Sequence, residues 1–228
     1  MKILNLYACL GGNRYKWDEV TDVKVTAVEL DPEAARLYQE RFPNDTVIVA
    51  DAHQYLLDHY KEFDFIWSSP PCPTHSRINY SKKNRTNEQL KYPDMKLYEE
   101  IIFLDNFFNG KYCIENVIPY YEPLMPAKKR GRHLYWTNFH LPNVLSLRKT
   151  IVSSNMNEAS RIKHGSGSDV KRLSTFHDYD FTKYNGTQRQ DKMARNLVDY
   201  EAGRTILETA VGITRKQNIN QTTIFDEC

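Results

Sequence analysis

No apolar stretch in this 228-residue chain approaches the length of a membrane span. The opening Met1-Lys2-Ile3-Leu4-Asn5-Leu6 is too short and too polar for a secretory leader and reads as a first strand. Four cysteines (Cys9, Cys72, Cys113 and Cys228) show no CxxC spacing and no histidine-rich companion. That spacing argues against a disulfide framework and against a structural zinc site, and points to reduced thiols in a cytoplasmic protein. Internal repeats, low-complexity tracts and the GxGxxG fingerprint are missing as well. The class that remains is an ordinary globular protein, 40% hydrophobic and 26% charged. Its length suits one domain with a small appendage.

Net charge is only +2, but it is unevenly spread. Residues 1–66 hold seven Lys and Arg against twelve Asp and Glu, whereas residues 126–149 hold six basic residues and no acid. Such asymmetry fits a polyanion contacted by the middle and end of the chain, or a solvated basic face.

The first half alternates short apolar runs with helical patterns, the mark of a parallel sheet with crossover helices. Strands are expected at Ile3–Tyr7, Val23–Val28, Thr46–Val49, Phe63–Trp67, Tyr112–Ile114 and Leu134–Phe139. Helices are expected at Pro32–Arg41 and Lys96–Phe108, where apolar residues recur at helical spacing. Arg77–Asp94 carries Arg77, Lys82, Lys83, Arg85 and Lys91 without clear periodicity and reads as a long loop. Asn143–Arg189 is also irregular and reads as a small insert, before a helix over Lys192–Ala210.

The chemistry gathers at predicted strand ends. Pro70-Pro71-Cys72-Pro73 follows the apolar run Phe63–Trp67. Proline fixes φ and removes a backbone donor, so the thiol is held on a stiff loop that neither continues the strand nor starts a helix. Lys111–Ile114 then delivers Glu115-Asn116-Val117. A placed thiol and a placed carboxylate suit nucleophilic addition assisted by a proton donor. The turn Tyr7-Ala8-Cys9-Leu10-Gly11-Gly12 follows the first strand, where paired glycines allow either a tight turn or a close ligand. Glu29 ends the second strand and can accept from ribose hydroxyls, or sit as a surface acid beside the Asp31-Pro32 helix start. Asp51 ends the third and can accept from an adenine amino group, or cap a helix. All three lie where open α/β sheets bind ligands, outside the carboxyl ends of the strands.

Together these segments resemble the DNA cytosine-5 methyltransferases, and especially compact members of bacteriophages. The resemblance rests on Tyr7–Gly12, Glu29, Asp51, Pro71-Cys72, Glu115-Asn116-Val117, Lys128-Lys129-Arg130-Gly131-Arg132 and Arg195-Asn196-Leu197-Val198, in the family's order over nearly the whole chain. It implies an α/β, Rossmann-like S-adenosylmethionine-dependent methyltransferase fold, a mostly parallel sheet flanked by helices with a small recognition insert. The implied division is a catalytic and cofactor-binding core over residues 1–142, a DNA target-recognition insert over 143–189, and a C-terminal helix returning to the core over 190–228.

The resemblance further implies that Cys72 adds to cytosine C6, that Glu115 holds or protonates N3, and that Arg132, with Arg130 as a second candidate, holds the base carbonyl. S-adenosylmethionine, leaving as S-adenosylhomocysteine, is expected against Tyr7, Leu10, Gly11, Gly12, Glu29, Leu30, Asp51, Ala52, Pro71 and Asn196. Double-stranded DNA is expected against Ser76, Arg77, Lys82, Lys83 and Arg85, with the target base flipped out of the stack. No metal, no membrane and a monomer or weak dimer are expected, in the cytoplasm of a bacterial or phage-infected cell. The chain departs from the pattern in several places. Cys9 stands for the first loop glycine, Lys128 for a glutamine, Pro73 for the glutamine after the cysteine, and Arg195 for a glycine. Alternatives are RNA in place of DNA, an amino methyltransferase (disfavoured by Cys72 where an aromatic is usual), and an inactive DNA-binding homologue. Cys113, His75 and the three tryptophans read as structural.

Overall fold

The computed structural model describes residues 1–86, 89–148 and 166–213. Five parallel strands come first in space: β1 (Lys2–Leu6), β2 (Lys24–Glu29), β3 (Thr46–Val49), β4 (Phe65–Ser68) and β5 (Lys111–Val117). The sheet is completed by β6 (Lys128–Arg130) and by β7 (His133–Thr137), which runs antiparallel to β5. The seven-stranded order is β3-β2-β1-β4-β5-β7-β6. Strand order therefore reverses between β1 and β4, which opens a crevice at their carboxyl ends.

The central strands β1, β4 and β5 are buried on both faces and mostly apolar. In β4 the alternation is plain: Phe65 and Trp67 enter a cluster with Trp17, Cys113 and Ile206, whereas Ile66 enters the opposite one with Leu56, Ile101 and Leu104. Helix α1 (Pro32–Arg41) starts where Asp31 caps two backbone amides and Pro32 takes the first helical position. Helix α2 (Ala52–His59) is capped by Asp51, and α4 (Lys96–Phe107) presents Leu97, Ile101 and Leu104 to the sheet.

Three sequence expectations are corrected. The Arg77–Asp94 stretch is not a plain loop, because α3 (Ile78–Thr86) forms within it. The 143–189 stretch is not irregular throughout, because α5 (Ser166–His177) buries Val170 and Leu173 against its neighbours. The single helix expected over Lys192–Ala210 is two, α6 (Gln190–Asn196) and α7 (Tyr200–Ala210). They part because Leu197 is extended and Asp199 caps Glu201, starting the second helix afresh. Ala202, Ile206 and Leu207 of α7 then join the Trp17 side of the core.

Candidate active site

A cavity of about 680 Å³ opens at the carboxyl ends of β1 to β5. Its walls include Tyr7 and Cys9 after β1, Glu29 and Leu30 at β2, Asp51 and Ala52 after β3, and Pro70 to Pro73 after β4. Glu115, Asn116 and Val117 of β5 and His133 of β7 close one side. Lys192, Met193, Arg195 and Asn196 of α6 cover the top.

Cys72 is half-buried. Its carbonyl accepts from the amides of His75 and Ser76, each at 3.0 Å, so the loop turns tightly just after the thiol. Asn116 buries its side chain and donates to the Pro70 carbonyl at 3.0 Å, clamping the proline loop to the end of β5. Burial raises the Cys72 thiol above its ordinary value, the Glu115 carboxylate adds to that, and Lys192 opposes it.

Glu115 is nearly buried. Its Oε2 accepts from the Ser69 hydroxyl at 3.2 Å, and that hydroxyl in turn accepts from the indole of Trp67 at 2.8 Å. Its Oε1 lies 3.4 Å from His133 Nε2. Ser69, His133 and Lys192 were not picked out from sequence. His133 directly follows the Lys128–Arg132 segment, and only strand pairing brings it to Glu115.

The acidic wall has a dual character. Glu29 Oε2 accepts from the Cys9 amide at 2.8 Å and Oε1 from the Asp31 amide at 2.9 Å. Burial raises this carboxyl, and the backbone donors pull the other way. Asp51 caps α2 through Oδ1, keeps Oδ2 at 3.4 Å from Lys96, and is held below its ordinary value chiefly by the Gln54 amide. Capping and cavity lining are thus compatible roles of the same side chain. Asp31 is more committed, since it caps α1 and also accepts from the Tyr184 hydroxyl at 2.5 Å. Leu30 exposes 68% of its surface beside these acids, an apolar face offered to a ligand.

Of the other expected residues, Pro71 and Asn196 line the cavity, whereas Leu10, Gly11 and Gly12 do not. Leu10 is fully buried among Leu37, Leu173 and Met193. Gly11 sits at φ +68° under the rings of Tyr38 and Phe42, and a Cβ at Gly12 would collide with the Val198 carbonyl. These glycines allow close packing of the loop against α1 and the segment after α6.

Arg130 is likewise taken up elsewhere. Its guanidinium donates to the carbonyls of Pro142, Leu141 and Lys129 and fastens the strand to the following loop. Arg132 is partly buried and feels Glu115 and Arg195. Ser76 accepts from the Ile78 amide and pairs with Pro119, and Arg77 donates to the Pro119 carbonyl, so both tie the cysteine loop to the exit of β5. Lys83 is exposed on α3. Lys82 and Arg85 share that helix, but their side chains lie outside the described set. Among the described residues no group of three potential metal ligands is found, and no helix is long and apolar enough to cross a membrane.

Residues 1–117, just over half of the chain, match the family model of the C-5 cytosine-specific DNA methylases. No curated protein matches the sequence. Among solved structures, the chain is similar to a Spodoptera frugiperda DNMT2 mutant at 15% identity, over 92% of this chain and 99% of that one, with a TM-score of 0.52. It is also similar to the Entamoeba histolytica methyltransferase EhMeth at 12% identity, over 98% and 90% of the two chains, with a TM-score of 0.42. At such identity the DNMT2 likeness is one of fold, and it extends over nearly the full length of both chains. With the cysteine and carboxylate at one sheet edge and the family model across the segment that carries them, the chain belongs to the C-5 cytosine-specific DNA methylase family, and its methyl donor is S-adenosylmethionine.

Proposed function

We propose that the protein methylates C5 of cytosine in double-stranded DNA through covalent addition of Cys72 to C6. The observation that carries this reading is the shared cavity: Cys72 and Glu115 line one part of it, and Glu29, Leu30 and Asp51 line another. Glu29 and Asp51 would accept from the ribose hydroxyls and adenine amino group of the donor, with Leu30 against the adenine ring. The sulfonium supplies an electrophilic methyl group.

Cytosine C5 is a weak nucleophile, so the protein must first raise its electron density. Cys72 Sγ attacks C6 while Glu115 hydrogen-bonds or protonates N3, which takes up the charge that develops on the ring. Electron density then resides at C5, the site of transfer. Once C5 carries the methyl group, loss of its proton to a base forms the C5–C6 double bond, expels Cys72 as thiolate and restores the aromatic ring. The raised thiol fits this order of events. Burial and the Glu115 charge both raise the Cys72 thiol, and the second cause is absent while Glu115 carries the proton meant for N3.

Because C6 is shielded in a stacked duplex, the base must leave the helix to reach the cavity. Lys83 and Arg77 are assigned to phosphate contact, Arg132 to the base carbonyl, and residues 143–189 to target recognition.

The test is incubation with S-adenosylmethionine and duplex DNA containing 5-fluorocytosine, beside RNA carrying the same base. A covalent adduct on DNA that disappears in Cys72→Ala is expected. Adduct on RNA alone would move the substrate assignment, and none on either would sink the reading.

A further inference from the structure

Glu115 is assigned to N3, and the strand register places an imidazole beside one of its oxygens. Glu115 pairs with Tyr135 across β5 and β7, and His133 lies two residues away on the same face. This diagonal is within reach of long side chains, and Nε2 of His133 stands 3.4 Å from Oε1 of Glu115. The imidazole retains 29% side-chain exposure and also lines the cavity, whereas the carboxylate retains only 9%. His133 thus touches both water and a nearly dry acid.

The opposite oxygen is already committed. Trp67 Nε1 is a donor only, so the Ser69 hydroxyl that accepts from it points its own proton at Glu115 Oε2. An added proton on Glu115 therefore belongs on Oε1, the oxygen that faces His133.

Resting on the methylation reading above, we propose that His133 is a positioning residue that relays protons between solvent and Glu115 Oε1. The imidazolium gives its Nε2 proton to Oε1 as Oε1–H passes its own to cytosine N3, and the imidazole regains a proton from water at the cavity mouth. When Cys72 leaves, the N3 proton returns by the same path, so the cycle closes without another reactant. Imidazole is the side chain whose charge changes near neutral pH, which suits traffic in both directions. The charged and titratable neighbours are Glu115 from β5, Arg130 as the cross-strand partner on β6, Arg132 in the turn before β7, Tyr135 on β7 itself, Arg195 and Lys192 from α6, and the Cys72 thiol. Only Glu115 among them forms an ion-pair contact with His133.

The experiment is the single-turnover rate of adduct formation on the 5-fluorocytosine duplex, from pH 6 to 9, for wild type and His133→Asn. Wild type is expected to rise with pH as thiolate forms and then to level off as protons for N3 become scarce. His133→Asn is expected to be slower by about tenfold or more at neutral pH, and to keep rising where wild type levels off. Affinity for S-adenosylhomocysteine, measured alongside, reports an intact fold. Since the asparagine variant can be unstable, His133→Ala with added imidazole is the second arm, and partial recovery of rate is expected. The same levelling in His133→Asn, or no imidazole rescue in a folded His133→Ala, overturns the relay alone. A wild type that forms no adduct on DNA or RNA overturns the methylation reading and the relay with it.

Discussion

The phenol of Tyr7 donates to the fully buried carboxylate of Glu100 over 2.6 Å, joining the end of β1 to the middle of α4. The same carboxylate accepts from Ser68 Oγ at 2.6 Å and faces His53 Nδ1 at 3.1 Å. Three walls of the cavity, after β1, β3 and β4, are thereby tied to one acid. Tyr7 has a left-handed backbone, φ +55°, which this bond helps hold. Removing the hydroxyl in Tyr7→Phe costs one charge-assisted bond, about 1.5–3 kcal/mol. Urea unfolding is expected to show that loss, and calorimetry a weaker affinity for S-adenosylhomocysteine. A Tyr7→Phe protein with unchanged stability and affinity would show that the bond does not organise this wall.

The network also predicts a pH dependence of stability. The hydrogen bond with Glu100 is the largest cause that raises His53 above its ordinary value, with burial opposing it. A raised folded value means that the folded state holds this proton more tightly than the unfolded chain. The contribution is therefore complete below the unfolded histidine range of about 6.5 and is lost as pH rises through the folded value. The stability difference between wild type and His53→Gln should be largest near pH 5.5 and shrink towards pH 8.5. A difference that grows with pH would reverse the assignment.

Much of this architecture could be read before the structure, and what escaped has physical reasons. Parallel strands buried on both faces leave dense apolar runs, and Asp31-Pro32 marks a helix start outright, so β1 to β5 and α1 were legible. Helix α2 was hidden because its eight residues bury only Ala52 and Leu56. Helix α3 is mostly polar, and β6 is the three-residue Lys128–Arg130, too short and too charged to suggest a strand. In the site, Cys72, Glu115, Glu29 and Asp51 sit at strand ends, where the chain itself announces a ligand. His133 and Glu100 reach the site through cross-strand register and helix docking, relationships that no local pattern contains. The glycines illustrate the converse: a residue type that allows a close ligand can equally answer a steric demand, here from Tyr38, Phe42 and Val198.

Cys9 stands at φ +49°, a left-handed position that glycine occupies without steric cost. Its amide is needed by Glu29, so the backbone cannot relax without losing that bond at 2.8 Å. Cys9→Gly keeps the amide and removes the strained Cβ. The expected gain is about 0.5–1 kcal/mol after the extra freedom of glycine in the unfolded chain is counted. Thermal unfolding of the two proteins decides the matter, and a variant less stable than wild type would mean that the Cys9 side chain packs better than its backbone suffers.

The charges around Cys72 predict that thiol reactivity and turnover move in opposite directions. Burial is the first cause of its raised value and Glu115 the second, with Lys192 acting the other way. Neutralising the carboxylate in Glu115→Gln lifts one penalty, so more thiolate is present at a given pH in the free protein. Iodoacetamide labelling of Cys72, followed by mass spectrometry against pH, should shift to lower pH in Glu115→Gln and to higher pH in Lys192→Met. At pH 7.5 the expected change in labelling rate is roughly two- to fivefold in each direction. Methylation by Glu115→Gln should nonetheless fall by about a hundredfold or more, because the amide cannot donate a proton to N3 as a carboxylic acid does. A more reactive cysteine in a less active enzyme is the signature expected if proton supply at N3, and not thiolate abundance, limits attack. Labelling that slows in Glu115→Gln would show instead that the carboxylate assists ionisation of the thiol.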